Sequence, residues 1–318
     1  MKLVRHLKAI SVKGCVVTIG NFDGLHVGHR ALIERTIERA QQLSVPSVVM
    51  SFHPLPYEYF NPHEHHQIMP FSQKFKGLEN LGVDYFFNVP FNQAFASLPP
   101  ERFVNEYLVQ GLQARHIILG ADARFGHQKK GDVPLLTQLG ERYGFQVETL
   151  PDILNQSAKV SSSKIRQALI AGDITRANQL LGYPFTLSAR VQLGKQKGRE
   201  LGFPTANLGL HSKYLSLNGV YICWAKVNGR TYPAVTNIGY QPTLHGRKKR
   251  VEVHLLDFSG DLYGQKLQVS FLEKIRNEKK FNSFSELIER IKHDILIAQA
   301  YFSSSEVGKS TPSHMLSV

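Results

Sequence analysis

Val16-Val17-Thr18-Ile19-Gly20-Asn21-Phe22-Asp23-Gly24-Leu25-His26-Val27-Gly28-His29-Arg30 is the stretch that decides the fold. Its β-branched start predicts a strand over 16–19 that ends at Gly20, and an amphipathic segment begins a few residues later. A strand running into a glycine-bearing turn and then a helix N-terminus is an anion site, because main-chain N–H groups and the helix dipole point at the ligand. His26 and His29 stand three apart on the first helical turn, where imidazole N–H groups can donate to phosphate oxygens. Gly20, Asn21, Phe22, Asp23 and Gly28 complete this candidate phosphate site. Two histidines at that spacing alone would read equally as caps or solvent-facing side chains. The strand before them, with Asn21-Phe22-Asp23-Gly24 in register, turns the reading towards phosphate.

Outward from this stretch, the first half alternates strands and helices. Ile33, Ile37 and Ala40 repeat at i, i+4, i+7 while Glu34, Arg35, Glu38 and Arg39 are expected to face water. Strands are expected over 47–52, 84–89, 115–119 and 145–150. Helices are expected over 102–109 after Pro99-Pro100, over 133–143 closed by Gly144, over 161–171 stopped by Gly172, and over 174–181 stopped by Gly182. Such alternation implies an α/β domain, a Rossmann-like parallel sheet with helices on both faces.

Beyond Gly182 the texture changes. Residues 185–193, 219–227, 230–236, 250–257 and 267–272 all read as strands, and Asn228-Gly229 is a tight-hairpin signal between two of them. One amphipathic helix over 283–302 closes the region, so an antiparallel β-barrel with a terminal helix is expected. The division is therefore a domain over 1–182, a barrel domain over 183–302, and a polar tail over 303–318 with no hydrophobic period and no expected order.

Composition sets the class. The 318 residues are 42% hydrophobic and 20% charged, as in an ordinary globular protein with room for two cores. No apolar run approaches the ~18 residues of a membrane span, and the charged start from Met1 to Lys8 lacks the apolar block of a secretory signal. The two cysteines, Cys15 and Cys223, sit in apolar runs and read as buried free thiols, so a cytoplasmic enzyme is expected. The net charge of +13 suits polyanions. Basic residues are scattered apart from Lys129-Lys130 and Arg247-Lys248-Lys249-Arg250, and no nucleic-acid-binding motif stands out. Nucleotide phosphates are thus the expected partners, with no nucleic acid and no membrane.

Three further runs carry chemistry. Val160-Ser161-Ser162-Ser163-Lys164-Ile165-Arg166 begins a helix, where serines cap and Arg166 lies beside exposed N–H groups. Gly198-Arg199-Glu200-Leu201-Gly202-Phe203-Pro204-Thr205-Ala206-Asn207 offers glycines for close approach to phosphate, with Thr205 and Asn207 as neutral oxygen ligands for a hard cation. It reads equally as an ordinary structured turn. In Val251-Glu252-Val253-His254-Leu255, period-2 alternation puts Glu252 and His254 on one face. Glu252 is a solvated charge or, if the Thr205 loop brings Mg-ATP alongside, the base for an attacking hydroxyl.

Together these motifs resemble the bacterial bifunctional riboflavin kinase/FMN adenylyltransferase (FAD synthetase) family from about Cys15 to Phe302. The residues that carry the resemblance are Gly20-x-Phe22-Asp23-Gly24-x-His26-x-Gly28-His29, Ser162-x-x-x-Arg166, the Gly120–Gly126 loop, Gly202-Phe203-Pro204-Thr205-Ala206-Asn207, Asn237-Ile238-Gly239, Pro242-Thr243, the Glu252 strand and Gly260-Asp261-Leu262-Tyr263-Gly264. The resemblance implies that the second domain moves the ATP γ-phosphate to the riboflavin 5′-hydroxyl, with Glu252 as base and Mg²⁺ held by Thr205 and Asn207. It implies that the first domain moves AMP from a second ATP to FMN, giving FAD and pyrophosphate. There His26, His29, Ser162 and Arg166 would hold phosphates, and Gly202, Pro204 and Thr205 would do so in the kinase half. Asp122, Phe125, Asn237 and Arg276 would contact flavin. The chain departs from the family pattern at Leu55, Ala121 and Gln241, which stand where a polar, an acidic and an arginine side chain are usual.

Other clusters have plainer readings. His63, His65 and His66 lie in a Pro/Asn/Glu-rich run without a cysteine and read as surface loop rather than metal site. Tyr57, Tyr59 and Phe60 suit a flavin ring or core packing equally. The alternatives to a two-activity enzyme are a kinase with an inactive first domain and a basic nucleic-acid-binding protein. A monomer or weak homo-oligomer is expected.

Overall fold

A computed structural model of the chain describes residues 1–9, 13–62, 67–155, 158–194, 198, 201–211, 214, 216–243 and 246–304. His63, His65, His66 and the tail from residue 305 lie outside the described residues. The described residues form two compact units, divided between Ser161 and Ser162 except that Gln67, Ile68 and Met69 belong with the second.

The first unit is built on a six-stranded parallel sheet of β1 (Lys2–Val4), β2 (Cys15–Ile19), β3 (Ser47–His53), β4 (Tyr85–Pro90), β5 (Ala114–Gly120) and β6 (Gln146–Leu150). Their order across the sheet is β1-β4-β3-β2-β5-β6. Cys15, Val16, Val17, Val48, Val49 and Met50 are all fully buried, because helices cover both faces and leave no side for polar residues. The chain moves from β2 through β3 to β4 on one side and then crosses to β5 and β6 on the other. The switch point is therefore between β2 and β5, where open α/β sheets bind ligands. Thr18 pairs with Ile118, so the Gly20 turn and the Gly120 loop leave neighbouring strands at the same level.

The helix α1 (Val27–Gln42) buries Ile33, Thr36 and Ala40. Arg35 and Arg39 are half-buried rather than solvated, because both reach Glu148, at 2.6 and 3.5 Å. The helices Val133–Tyr143 and Ile174–Leu181 keep the expected bounds, each ending on a left-handed glycine, Gly144 and Gly182. The segment expected as one helix after Pro99-Pro100 is a short α-turn, Pro100–Phe103, running into a wider π-helical stretch, Val104–Gly111. β1 and the helix Phe71–Leu81 are additions to the expected elements. Three residues are too short for a period, and Lys74 interrupts the apolar pattern of that helix.

A two-stranded ribbon, β7 (Leu154–Asn155) and β8 (Ala158–Lys159), ends the first unit. The second begins with the helices Ser162–Ala171 and Ile174–Leu181, and the latter is tied to the barrel through Asn178, whose side chain donates to Phe271 O and accepts from Phe185 N. The barrel comprises β9 (Thr186–Gln192), β10 (Ala206–Leu208), β11 (Gly219–Val227), β12 (Arg230–Thr243), β13 (Gly246–Leu255) and β14 (Lys266–Arg276). It closes in the order β10-β13-β12-β11-β14-β9, antiparallel throughout. Asn228 and Gly229 both take positive φ, 48° and 78°, as a two-residue hairpin turn requires. Val251, Val253, Thr236 and Phe271 fill the interior, and the helix Phe284–Ser304 lays Ala298, Ile295 and Phe302 against Val220, Ile222 and Val235 outside it. β10 stands where the sequence also reads as a turn, because the three residues Ala206-Asn207-Leu208 are too few to show alternation.

Candidate active sites

In the first unit the turn after β2 is strained and buried. Phe22 and Leu25 hold φ of 47° and 39°, and Gly24 φ of 89°. His26 N-caps α1, its Nδ1 accepting from His29 N–H at 3.3 Å, which leaves the proton of the neutral ring on Nε2. The two imidazoles stack with centroids 3.6 Å apart, and the His29 ring meets the Phe22 edge at 5.2 Å. Burial, and then the Arg30 charge, pushes the His26 pKa down to about 4. Burial, then His26 and Lys74, holds His29 well below the usual imidazole value. Both rings are thus neutral donors at neutral pH. His29 Nδ1 is buried without a hydrogen-bond partner among the described residues, as expected of a group that meets a ligand.

The turn is supported from below. Asn21 O accepts from Ser51 Oγ at 3.1 Å and from Lys74 Nζ at 2.7 Å, and Asp23 accepts from the Tyr57 hydroxyl at 2.9 Å. A Cβ at Gly20 would touch the Phe22 ring at 3.2 Å, and one at Gly28 the His26 ring at 3.3 Å. Tyr57 is therefore a support of the turn. Tyr59 and Phe60 instead join a row of edge-on rings through Phe91 and Phe95 to Phe103, which meets Phe125 at a tilt, with Phe60 at the exposed end. Asp122 is exposed and ion-paired with Lys159, whose hydrogen bond holds the carboxyl below its usual range. Leu55 is buried at 2% exposure, so at that position an apolar side chain fits its surroundings.

Ser162 and Arg166 stand in the first turns of the helix Ser162–Ala171, in the second unit, with the Arg166 guanidinium 3.4 Å from Ser163 Oγ.

The second unit gathers its expected residues on one line. Asn207 lies opposite Glu252, Glu252 opposite Asn237, Asn237 opposite Val220, and Val220 opposite Arg276. Directly opposed residues share a face, so this row runs across five neighbouring strands on the outer face of the barrel. All five line a cavity of about 350 Å³, together with Thr205, Gly198, Phe203 and the helix residues Ile291 and Ile295. Thr205 also lines a neighbouring cavity of about 620 Å³ formed by Pro204, Ser259, Gly260, Asp261 and Tyr263. Thr205 is the wall between a largely apolar chamber and a more mixed one. Burial raises the Glu252 pKa against the opposing pull of Arg250, and among the described residues no hydrogen bond or ion pair reaches its carboxylate. That is the condition of a base awaiting a proton. Gly202 has φ of 84°, a bend that favours glycine.

Two supports of this site are not evident from its motifs. His254 Nδ1 lies 2.8 Å from the Pro204 carbonyl, which can only accept, so Nδ1 carries the proton and pins the Thr205 loop. His254→Leu is expected to raise the KM for ATP in phosphorylation about fivefold, the worth of one hydrogen bond at ~1 kcal/mol. His254→Asn, which keeps a donor near Nδ1, restores most of it; initial rates against ATP concentration check this.

The second support is Asp294, 2% exposed on the helix Phe284–Ser304, which takes the Arg276 guanidinium at 2.8–3.1 Å and Arg290 Nε at 3.2 Å. Arg276 therefore lines the cavity with its charge already matched. Asp294→Ala leaves Arg276 unpaired against apolar surface and is expected to destabilise the second unit by about 3 kcal/mol. Denaturant melts followed by Trp224 fluorescence measure it.

Both halves of the chain match known protein families. Residues 8–164 match the family model described as FAD synthetase, and residues 181–302 match the one described as riboflavin kinase. The chain is 41% identical to the bifunctional riboflavin kinase/FMN adenylyltransferase of Pseudomonas fluorescens, over 94% of this chain and 97% of that one. It belongs to the bifunctional riboflavin kinase/FMN adenylyltransferase family. The Bacillus subtilis member is 38% identical over 91% of this chain and 93% of its own. Among solved structures, one from Streptococcus pneumoniae described as a macrolide-efflux protein is 30% identical, covers 93% of this chain and 98% of its own, and superposes with a TM-score of 0.83. Among the described residues here, no helix is long and apolar enough to cross a membrane.

Proposed function

We infer that the chain makes FAD in two ATP-dependent steps, phosphorylating riboflavin to FMN and then adenylylating FMN, one step per module. The observation that carries the first step is the row Asn207–Glu252–Asn237 lining one of two cavities that share Thr205. The apolar chamber suits the flavin ring, and the mixed one, with Ser259, Gly260 and Asp261 beside Phe258 and Leu262, suits ATP. Glu252 takes the proton of the 5′-hydroxyl as that oxygen bonds to the γ-phosphorus. The bond from the γ-phosphorus to the bridging oxygen breaks, and ADP leaves. Thr205 and Asn207 offer neutral oxygens with no hydrogen bond among the described residues, which fits Mg²⁺ completed by phosphate oxygens and water. When bound, the ion offsets phosphate charge. Asn237 and Arg276 face the flavin, Asn237 with its amide and Arg276 through its fixed pair.

The second step needs no general base, because the FMN phosphate is already an anion. One of its oxygens bonds to the α-phosphorus of ATP, the α–β bridge breaks, and pyrophosphate leaves with the negative charge. His26, His29 and the main-chain N–H groups of the turn at Asn21, Phe22 and Asp23 stabilise that charge. Ser162 and Arg166 are proposed phosphate ligands of the same reaction, and Asp122 and Phe125 flavin contacts. The functional boundary is proposed at residue 182, the compartment as the cytoplasm, and the state as a monomer or weak homo-oligomer. Incubation with riboflavin and Mg-ATP, followed by chromatography, is the test. FMN followed by FAD, with two ATP consumed per FAD, supports the reading; FMN that never proceeds to FAD contradicts it.

A further inference from the structure

Lys74 is 5% exposed on the helix Phe71–Leu81, yet among the described residues no carboxylate lies within ion-pair distance of it. Its ammonium donates to Asn21 O at 2.7 Å and reaches Ser51 Oγ at 3.5 Å, both neutral acceptors. An ammonium carries three donors, so one N–H has no partner among the described residues. Burial pushes its pKa down to about 8 against the opposing pull of Asp23 and Glu58. A buried cation held by neutral groups is costly to the fold, and an apolar side chain of the same length would fill the site more cheaply.

The helix is fitted to the turn by a second contact on the same face. Gly77, three residues on from Lys74, lies so close to Leu25 that a Cβ there would fall 2.5 Å from Leu25 Cδ1. Leu25 is itself fully buried with φ of 39°. Lys74 and Gly77 thus seat this helix under both ends of the Asn21–Leu25 turn, where the phosphate-binding N–H groups originate.

We propose that Lys74 is a positioning residue for adenylyl transfer: its ammonium grips the Asn21 carbonyl from below and fixes the turn so that its N–H groups and the two histidines meet the nucleoside triphosphate. The positive charge is retained at the floor of a site whose ligand is a polyanion, and the fold bears the cost when that ligand is absent. This rests on the assignment of the turn as the adenylyl-transfer site, so His29→Ala is assayed in parallel.

The test is Lys74→Met in the full chain, with FAD formation from supplied FMN and Mg-ATP, riboflavin phosphorylation as the folding control, and a thermal melt. The expected result is a kcat for FAD formation about 100-fold lower, the loss that a small misplacement of reacting groups causes. Phosphorylation stays within about twofold and Tm is unchanged or higher, because a buried charge has been removed. Lys74→Arg, which keeps a charged donor, is expected to recover part of the kcat. A Lys74→Met enzyme that keeps FAD formation within about threefold of the parent while His29→Ala loses it overturns the proposal alone. Parent-like rates in both variants overturn the site assignment beneath it. Should Lys74→Met not fold, Lys74→Gln carries the test, with a loss of about tenfold expected and a parent-like rate overturning the proposal.

Discussion

Glu252→Gln is expected to lower riboflavin phosphorylation by about 10²–10⁴-fold, the range for loss of a general base. Adenylylation of supplied FMN should be unchanged. The substitution keeps the shape of the side chain between Asn207 and Asn237 and removes only its capacity to accept the hydroxyl proton. Its pH dependence follows from the direction of the shift. Burial raises the Glu252 pKa, so the ionised form that acts as base disappears at a higher pH than for an ordinary carboxylate. The acid limb of the phosphorylation profile should therefore lie above the usual carboxylate range, and it should vanish from the residual activity of the variant. Initial rates of FMN formation across pH, parent against variant, measure both effects.

His29→Ala is the second large effect, with FAD formation from FMN expected to fall about 10²–10³-fold, the loss from removing one preorganised donor to developing charge. Phosphorylation of riboflavin should continue at the parent rate, since Glu252 and its cavity belong to the other unit. The ring of His29 stacks on His26 and touches Phe22, so its removal also loosens the turn it packs against. The loss in rate then exceeds that of one hydrogen bond. Pyrophosphate release coupled to a colour reaction, with FMN supplied, reads this step without interference from the first.

Sequence patterns carried most of the architecture because each element declares itself locally. Cys15–Ile19 is apolar at every position but Thr18, as befits a central parallel strand, and Gly144 and Gly182 sit where left-handed caps close helices. Asn228-Gly229 could only be a tight turn between paired strands. In the barrel, alternation placed Glu252 and His254 on the face opposite Val251 and Val253, and the register then brought Asn207 and Asn237 to either side of the carboxylate.

What the sequence did not disclose depends on partners far along the chain. Lys74 reads as an ordinary surface charge until the helix that carries it is seen beneath Asn21, 53 residues away. Asp294 reads as one more polar position of an amphipathic helix, and only its bonds to Arg276 and Arg290 make it a buried anchor. Arg35 and Arg39 were expected in water because nothing near them in sequence hints at Glu148 on the last strand of the sheet. Burial of charge is a tertiary property, and hydrophobic periodicity does not register it.

The central claim is that adenylyl transfer and phosphorylation use separate phosphate-handling sites, and that neither reaction needs the other's catalytic side chains. An equimolar mixture of the Glu252→Gln and His29→Ala chains, given riboflavin and Mg-ATP, tests this most directly. Neither chain alone should turn riboflavin into FAD at an appreciable rate, whereas the mixture should accumulate FAD through FMN released by the His29→Ala chain. A mixture of the two folded variants that yields no FAD would contradict the account.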